Sequence, residues 1–60
     1  METVRLWCVG VCYKGGEHIY RVFDSEQEAE DCKATMEYAQ EVRRRTKHNQ
    51  PIKLVVMWEM

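Results

Sequence analysis

The stretch TVRLWCVGVCY, from Thr3 to Tyr13, decides the fold of this chain. It is the densest run of β-branched and aromatic residues in the sequence, and its apolar residues alternate onto both sides of an extended strand. The two predicted faces carry Val4, Leu6, Cys8, Gly10 and Cys12 on one side and Trp7, Val9, Val11 and Tyr13 on the other. A strand that is apolar on both faces is typical of the centre of a sheet. We therefore expect this strand to have a neighbour on each side.

Length and charge limit the classes of function. We expect a single domain over residues 1 to 60, and a chain this short buries only about 60% of the surface that it exposes when unfolded. The net charge of −1 removes the strong electrostatic argument for a nucleic-acid partner. No apolar run approaches the roughly 20 residues that a membrane-spanning helix needs, so we expect no membrane partner.

The pair Gly15-Gly16 marks a hairpin between two strand-like segments. Two glycines tolerate the positive φ angles of a type I′ turn, which predicts a two-residue loop. In that register Tyr13 pairs with His18 and Val9 pairs with Val22. One face then carries Cys8, Cys12, Ile19 and Phe23, and the other carries Trp7, Val9, Val11, Tyr13, His18, Tyr20 and Val22.

A long helix is predicted from Ser25 to Thr46. Ser25 followed by Glu28 fits a capping box, and the order of charges, acidic at the start and basic at the end, matches the helix dipole. The predicted core stripe is made of small or flexible residues, namely Ala29, Cys32, Met36 and Ala39. We expect this stripe to cover the sheet face that carries Val4, Leu6, Cys8, Cys12, Ile19 and Phe23.

A second stripe on the same predicted helix consists of Thr35, Tyr38 and Val42. At three- and four-residue spacing these side chains lie along one line of the helix surface. They either pack at the edge of the helix against the sheet margin or form a contact surface for a partner.

The third predicted strand runs from Ile52 to Trp58, after Pro51 has blocked continuation of the helix. The order β-β-α-β predicts an α+β fold, with a mixed three-stranded sheet in the order 2-1-3 and one long helix packed on one face. The third strand should lie antiparallel beside the first.

The uncovered face of this sheet would expose Trp7, Val9, Val11, Tyr13, Tyr20, Val22, Val55 and Met57. Because a monomer rarely exposes so large an apolar patch, we expect a second copy or a different protein to bind there.

Residues with reactive side chains form no recognisable catalytic or metal motif. Cys8 and Cys12 would lie about 13 Å apart on a strand, too far for both sulfurs to bind one zinc ion. His18 and His48 have no Ser, Cys or carboxylate partner at motif spacing. We therefore expect no enzyme activity, no metal and no cofactor. The odd number of cysteines indicates free thiols in a reducing cytoplasm.

A nucleic-acid partner is the less favoured alternative. The basic run from Arg43 to His48 suits phosphate groups, although a helix C-terminus favours the same residues. Trp7, Tyr13 and Tyr20 on an open sheet would resemble an RNA-stacking platform, and the same aromatic residues suit anchors in a protein interface. The alternative function is thus a small homodimeric domain that binds single-stranded nucleic acid on an aromatic sheet face.

Two segments of the sequence resemble a known family. The start Met-Glu-x-Val, from Met1 to Val4, and the helix-centre segment ATMEYAQ, from Ala34 to Gln40, match in a chain of similar layout and length. In these features the chain resembles the Dmd-like antitoxins of T-even-type coliphages. The resemblance implies a phage protein in the host bacterial cytoplasm, which binds and occludes an endoribonuclease toxin of the RNase LS type and so protects phage mRNA.

On the matched helix segment the resemblance implies that Thr35 and Tyr38 face the partner. Lys33 stands where the family pattern has a tryptophan, which puts a contact through that position in doubt. Together with the aromatic residues of the sheet, the candidate partner-binding residues are Trp7, Tyr13, His18, Tyr20, Thr35, Tyr38 and Val42.

Overall fold

A computed structural model of the chain describes residues 4 to 60. Its elements, in chain order, are β1 (Trp7–Tyr13), β2 (His18–Phe23), α1 (Glu26–Arg45) and β3 (Ile52–Glu59). The sheet order is β2-β1-β3, so the predicted α+β fold and the central position of the first strand are confirmed. Both ladders are antiparallel, and the expectation of a mixed sheet is wrong. β2 and β3 run in the same direction, but β1 separates them.

The element bounds lie close to the predicted ones. β1 begins at Trp7 rather than at Thr3, and Thr3 itself lies outside the described residues. α1 is confirmed with Ser25 as its N-cap, because the Ser25 Oγ accepts a hydrogen bond from the Glu28 N–H at 3.4 Å. β3 continues one residue past the predicted end, to Glu59. Within the described chain, α1 is too polar to qualify as a membrane-spanning helix.

The hairpin loop between β1 and β2 contains three residues rather than two. The Tyr13 N–H donates to the Glu17 carbonyl at 2.9 Å, and the Gly16 N–H donates to the Tyr13 carbonyl at 3.0 Å. Of the two glycines only Gly16 has a positive φ, at 94°. A tight turn that ends in a glycine of positive φ is a common three-residue hairpin. The predicted type I′ loop is wrong, because it requires a positive φ at Gly15 as well.

The longer loop shifts the β2 register by one residue and moves every β2 side chain to the opposite face. His18 pairs with Cys12 rather than with Tyr13, and Tyr20 pairs with Gly10. One face of this strand pair therefore carries Cys8, Gly10, Cys12, His18, Tyr20 and Val22. The other face carries Trp7, Val9, Val11, Ile19, Arg21 and Phe23, joined by Tyr13 at the end of β1.

The helix packs on the face that carries Val9 and Val11, which is opposite to the predicted face. Val9 and Val11 are buried, and with Cys32 and Met36 they line a small cavity of about 50 Å³ beneath α1. The predicted helix stripe is confirmed, with Ala29 fully buried at its start. The face assignment was wrong because the branched side chains of β1, rather than its small residues, fill the space under the helix.

The two loop glycines provide a direct test of the register. A Cβ atom added at Gly15 or at Gly16 meets no atom within 4 Å, so the two positions differ only in φ. We expect Gly16→Ala to lower the free energy of unfolding by about 1–2 kcal/mol, the cost of placing a side chain in the left-handed region. Gly15→Ala should be nearly neutral. Urea unfolding of both variants measures this difference, and equal losses would point to the two-residue loop instead.

Candidate functional site

One face of the sheet is left uncovered by α1, and we call it the open face. Alternate residues of the three strands and of the segment before β1 build it. It consists of Leu6, Cys8, Gly10, Cys12, His18, Tyr20, Val22, Leu54, Val56 and Trp58. None of these residues is Lys, Arg, Asp or Glu. The open face is therefore an uncharged surface apart from the imidazole of His18.

Large side chains on the open face are exposed to water. Tyr20 is 59% exposed, Val22 54%, Leu54 50% and Trp58 42%. Contiguous apolar surface of this kind marks an interaction site more often than a surface that stays in water. The expectation of an apolar sheet face without cover is confirmed, although most of its residues differ from those predicted.

An aromatic pair lies at the centre of the open face. The ring centroids of Tyr20 and Trp58 are 6.0 Å apart, and the rings meet edge to face at 76°. Gly10 lies between their strands, and a Cβ atom on it would be 3.1 Å from the Tyr20 ring and 3.2 Å from the Val56 Cγ2. The missing side chain of Gly10 thus lets Tyr20 lie across β1 and reach the residues of β3.

His18 and Cys12 form a second contact on the open face. The His18 Nδ1 lies 3.2 Å from the Cys12 Sγ, and the His18 ring stacks beside that of Tyr20 at 6.4 Å. A thiol beside an imidazole is the arrangement found in Cys–His nucleophiles, in which a third group orients the imidazole. Within residues 4–60 no further hydrogen bond orients the His18 ring. The prediction that His18 lies on the face opposite to the cysteines is wrong, because of the register shift.

The described residues contain no group of three or more His, Cys, Asp or Glu side chains placed to bind a metal ion. Cys8, Cys12 and Cys32 are free thiols. Cys8 is buried between Val22 and Trp58, its partners on the two neighbouring strands, which makes it part of the sheet packing.

Trp7 and Tyr13, two of the predicted partner-binding residues, lie on the face that α1 covers. Both are half-buried, and the guanidinium of Arg43 lies over the Tyr13 ring at 5.5 Å from its centroid. Their assignment to an uncovered face is wrong. Because the prediction placed the helix on the wrong face of the sheet, it also missed three site residues of β3, namely Leu54, Val56 and Trp58. The sequence feature that could have indicated the open face is Gly10, because a glycine inside an apolar strand marks the close approach of neighbouring groups.

Thr35, Tyr38 and Val42 lie on the outer surface of α1, away from the sheet. Tyr38 is 73% exposed and Val42 38%, so the ring of Tyr38 does not pack against the sheet margin. The Thr35 hydroxyl donates to the Asp31 carbonyl at 2.9 Å and is satisfied within the helix. The candidate residues therefore lie on separate surfaces, and only His18 and Tyr20 belong to the open face.

Gly10 should be sensitive to the smallest possible side chain. We expect Gly10→Ala to lower the free energy of unfolding by about 1 kcal/mol, because the added methyl group pushes the Tyr20 ring away from β1. The near-UV circular dichroism of the Tyr20–Trp58 pair should weaken at the same time. Gly15→Ala is the control, since a Cβ atom there meets nothing within 4 Å. An unchanged aromatic spectrum in Gly10→Ala would contradict the packing of Tyr20 across β1.

Comparisons with known proteins leave the family open. No protein-family model, no curated protein and no solved structure matches this chain.

Proposed function

We propose that this chain is a non-enzymatic binding protein whose open face docks on a partner protein. The observation that supports the proposal most is the uncharged open face, with an aromatic pair at its centre. The cores of protein interfaces are depleted in charged residues and enriched in aromatic ones, and the open face has both properties. We further propose that the partner is an endoribonuclease toxin of the RNase LS type, as the resemblance to the Dmd-like antitoxins implies.

The aromatic pair has the character of an interface anchor. Tyr20 and Trp58 present large rings with few rotatable bonds, and the Tyr20 ring packs against Gly10 and edge to face against Trp58 in the free chain. Ordering such side chains costs little on association, so more of the burial contributes to affinity. Val22 and Leu54 lie beside them on the edge strands, where they help to exclude water from the anchor.

Charge at the start of α1 suits a partner that binds RNA. Acidic residues crowd the first turns of the helix, namely Glu26, Glu28, Glu30 and Asp31. An endoribonuclease presents a basic surface to its substrate, and complementary charge speeds encounter with such a surface. The same residues also complement the positive end of the helix dipole, so their presence has a second explanation besides binding of the toxin.

The open face is poorly suited to single-stranded nucleic acid. A stacking platform for bases needs cations beside it for the phosphates, as in single-strand binding proteins. The residues of the open face include aromatic rings but no Lys or Arg. This absence favours a protein partner on this face over the nucleic-acid alternative.

Binding should depend on the open face and not on the outer surface of α1. We expect Tyr20→Ala and Trp58→Ala each to weaken binding to a purified RNase LS-type toxin by about 1–3 kcal/mol, roughly 5- to 150-fold. Tyr38→Ala tests the competing surface that the resemblance implies, because it removes an exposed aromatic ring from the opposite side of the molecule. Calorimetric titration gives the affinity, and cleavage of a reporter RNA by the toxin gives the degree of inhibition.

Two results would contradict the proposal. A loss of affinity in Tyr38→Ala but not in Tyr20→Ala would move the interface to the outer surface of α1. Uninhibited RNA cleavage, together with a dimer of this chain that Trp58→Ala dissociates in sedimentation, would make the open face a contact between two copies.

A further inference from the structure

A basic cleft lies where the hairpin loop, the end of α1 and the start of β3 come together. Its volume is about 380 Å³. The cations that line it are Lys14, Arg43, Arg44, Lys47 and Lys53, and no Asp or Glu of the described chain lines it. We propose that this cleft binds several neighbouring phosphate groups of a single-stranded RNA backbone. The inference rests on surfaces other than the open face and stands independently of what docks there.

The helix dipole does not account for this cluster. Lysine and arginine in the last turn of α1 complement the dipole, which explains Arg43 and Arg44. Lys14 comes from the hairpin loop and Lys53 from β3, so neither belongs to the helix. Five cations from three parts of the chain line the cleft, and only Arg44 among them forms a salt bridge in the described chain, with Glu41. The like charges of the others repel one another. A bound polyanion relieves this repulsion.

A bulge in β3 contributes Lys53 to the cleft. Leu54 pairs with Cys12 and Ile52 pairs with Tyr13, which leaves Lys53 as the extra residue between two ladder pairs. Bulges of this kind redirect a side chain and are common beside functional sites. The irregularity of the ladder thus coincides with the cleft.

Hydrogen bonds hold the walls of the cleft in place. The Arg43 Nη1 donates to the Gln50 carbonyl at 2.7 Å, and the Lys14 N–H donates to the Pro51 carbonyl at 3.0 Å. Gln40 Nε2 donates to the carbonyls of Ile52 and Lys53, each at 3.2 Å. These contacts tie the loop before β3 to both the helix and the hairpin. The cleft is therefore formed before any ligand arrives, which lowers the cost of binding.

The end of α1 is compatible with an anion. Unpaired carbonyl groups at a helix C-terminus would repel phosphate, but here two of them accept hydrogen bonds. The Val42 carbonyl accepts from the N–H of Thr46 at 3.0 Å and from its hydroxyl at 2.9 Å. The Arg43 carbonyl accepts from the His48 N–H at 3.0 Å. These two carbonyl groups at the end of α1 are therefore not free to repel a phosphate group in the cleft.

The cleft recognises phosphate rather than bases. Among the described residues no Phe, Tyr or Trp lines it, and the guanidinium of Arg43 covers the nearby Tyr13 ring. The one imidazole in the lining belongs to His48, and its Nδ1 accepts a hydrogen bond from the Gln50 N–H at 2.9 Å. Contacts to phosphate without base stacking give affinity that does not depend on sequence. Arg44 supplies a planar guanidinium that pairs with two phosphate oxygens at once, whereas Lys14 and Lys47 act as point charges.

Arg44 and Arg45 form a matched pair for the test. Both ion-pair with Glu41, at 3.6 Å and 3.3 Å, and their side chains are 70% and 76% exposed. Only Arg44 lines the cleft. We expect Arg44→Gln to weaken binding of a fluorescein-labelled oligouridylate about 3- to 10-fold, the loss of one phosphate contact, while Arg45→Gln changes it less than about 2-fold. Fluorescence anisotropy measures the affinity, and far-UV circular dichroism confirms that the variants are folded.

Salt and competitors complete the test. For three neutralised phosphates, the affinity should fall about tenfold to twentyfold between about 50 and about 200 mM salt, since the slope for single strands is about 0.7 per phosphate. If tripolyphosphate displaces the oligouridylate, the cleft binds phosphate groups in general and free polyphosphate is a second ligand. If it does not, the cleft binds the RNA backbone alone. Displacement by polyglutamate at equal charge, equal losses in Arg44→Gln and Arg45→Gln, or no binding of oligouridylate at low salt would each overturn the inference.

Discussion

The left-handed conformation of Gly16 sets the β1–β2 register on which the open face depends. A glycine at that point closes a three-residue loop, and the loop places Tyr20 beside Gly10. One residue of slip would place Tyr20 beside Val11 and turn its ring toward the helix. The glycine of β1 would then lie opposite Arg21, and the aromatic pair with Trp58 would be lost. The aromatic pair of the open face therefore depends on two glycines. Gly16 sets the register of the loop, and Gly10 leaves room for the Tyr20 ring.

Local signals were enough to predict the elements but not the faces. The N-cap Ser25 and the helix stripe that begins at Ala29 act within a few residues, and the structure contains both. The register could not be read in this way, because Gly15-Gly16 is compatible with both loop lengths. β1 is apolar on both sides, so no polar face indicated which side meets water. A second error, the choice of the sheet face that α1 covers, therefore placed Trp7 at the candidate site instead of Trp58.

The net charge of −1 conceals a separation of charge along the molecule. Acidic residues gather at the start of α1 and basic ones at its end, where Lys14 and Lys53 join them. The helix dipole favours this order within α1, but the two lysines meet only because the hairpin loop and the start of β3 lie at the same end of the sheet. Their convergence depends on topology, which composition does not contain. A weakly acidic chain thus presents a strongly basic surface at one end.

The uncovered sheet face links folding to binding. With one helix, the chain buries Val9, Val11 and Ala29 on one side only, and Tyr20 and Trp58 stay in contact with water. A second layer over these rings would add apolar burial to a domain whose size limits its stability. A partner that bound only the folded chain would supply that layer, and its binding free energy would add to the free energy of unfolding. The same exposed rings that limit the stability of the free chain therefore make its folded state responsive to a partner.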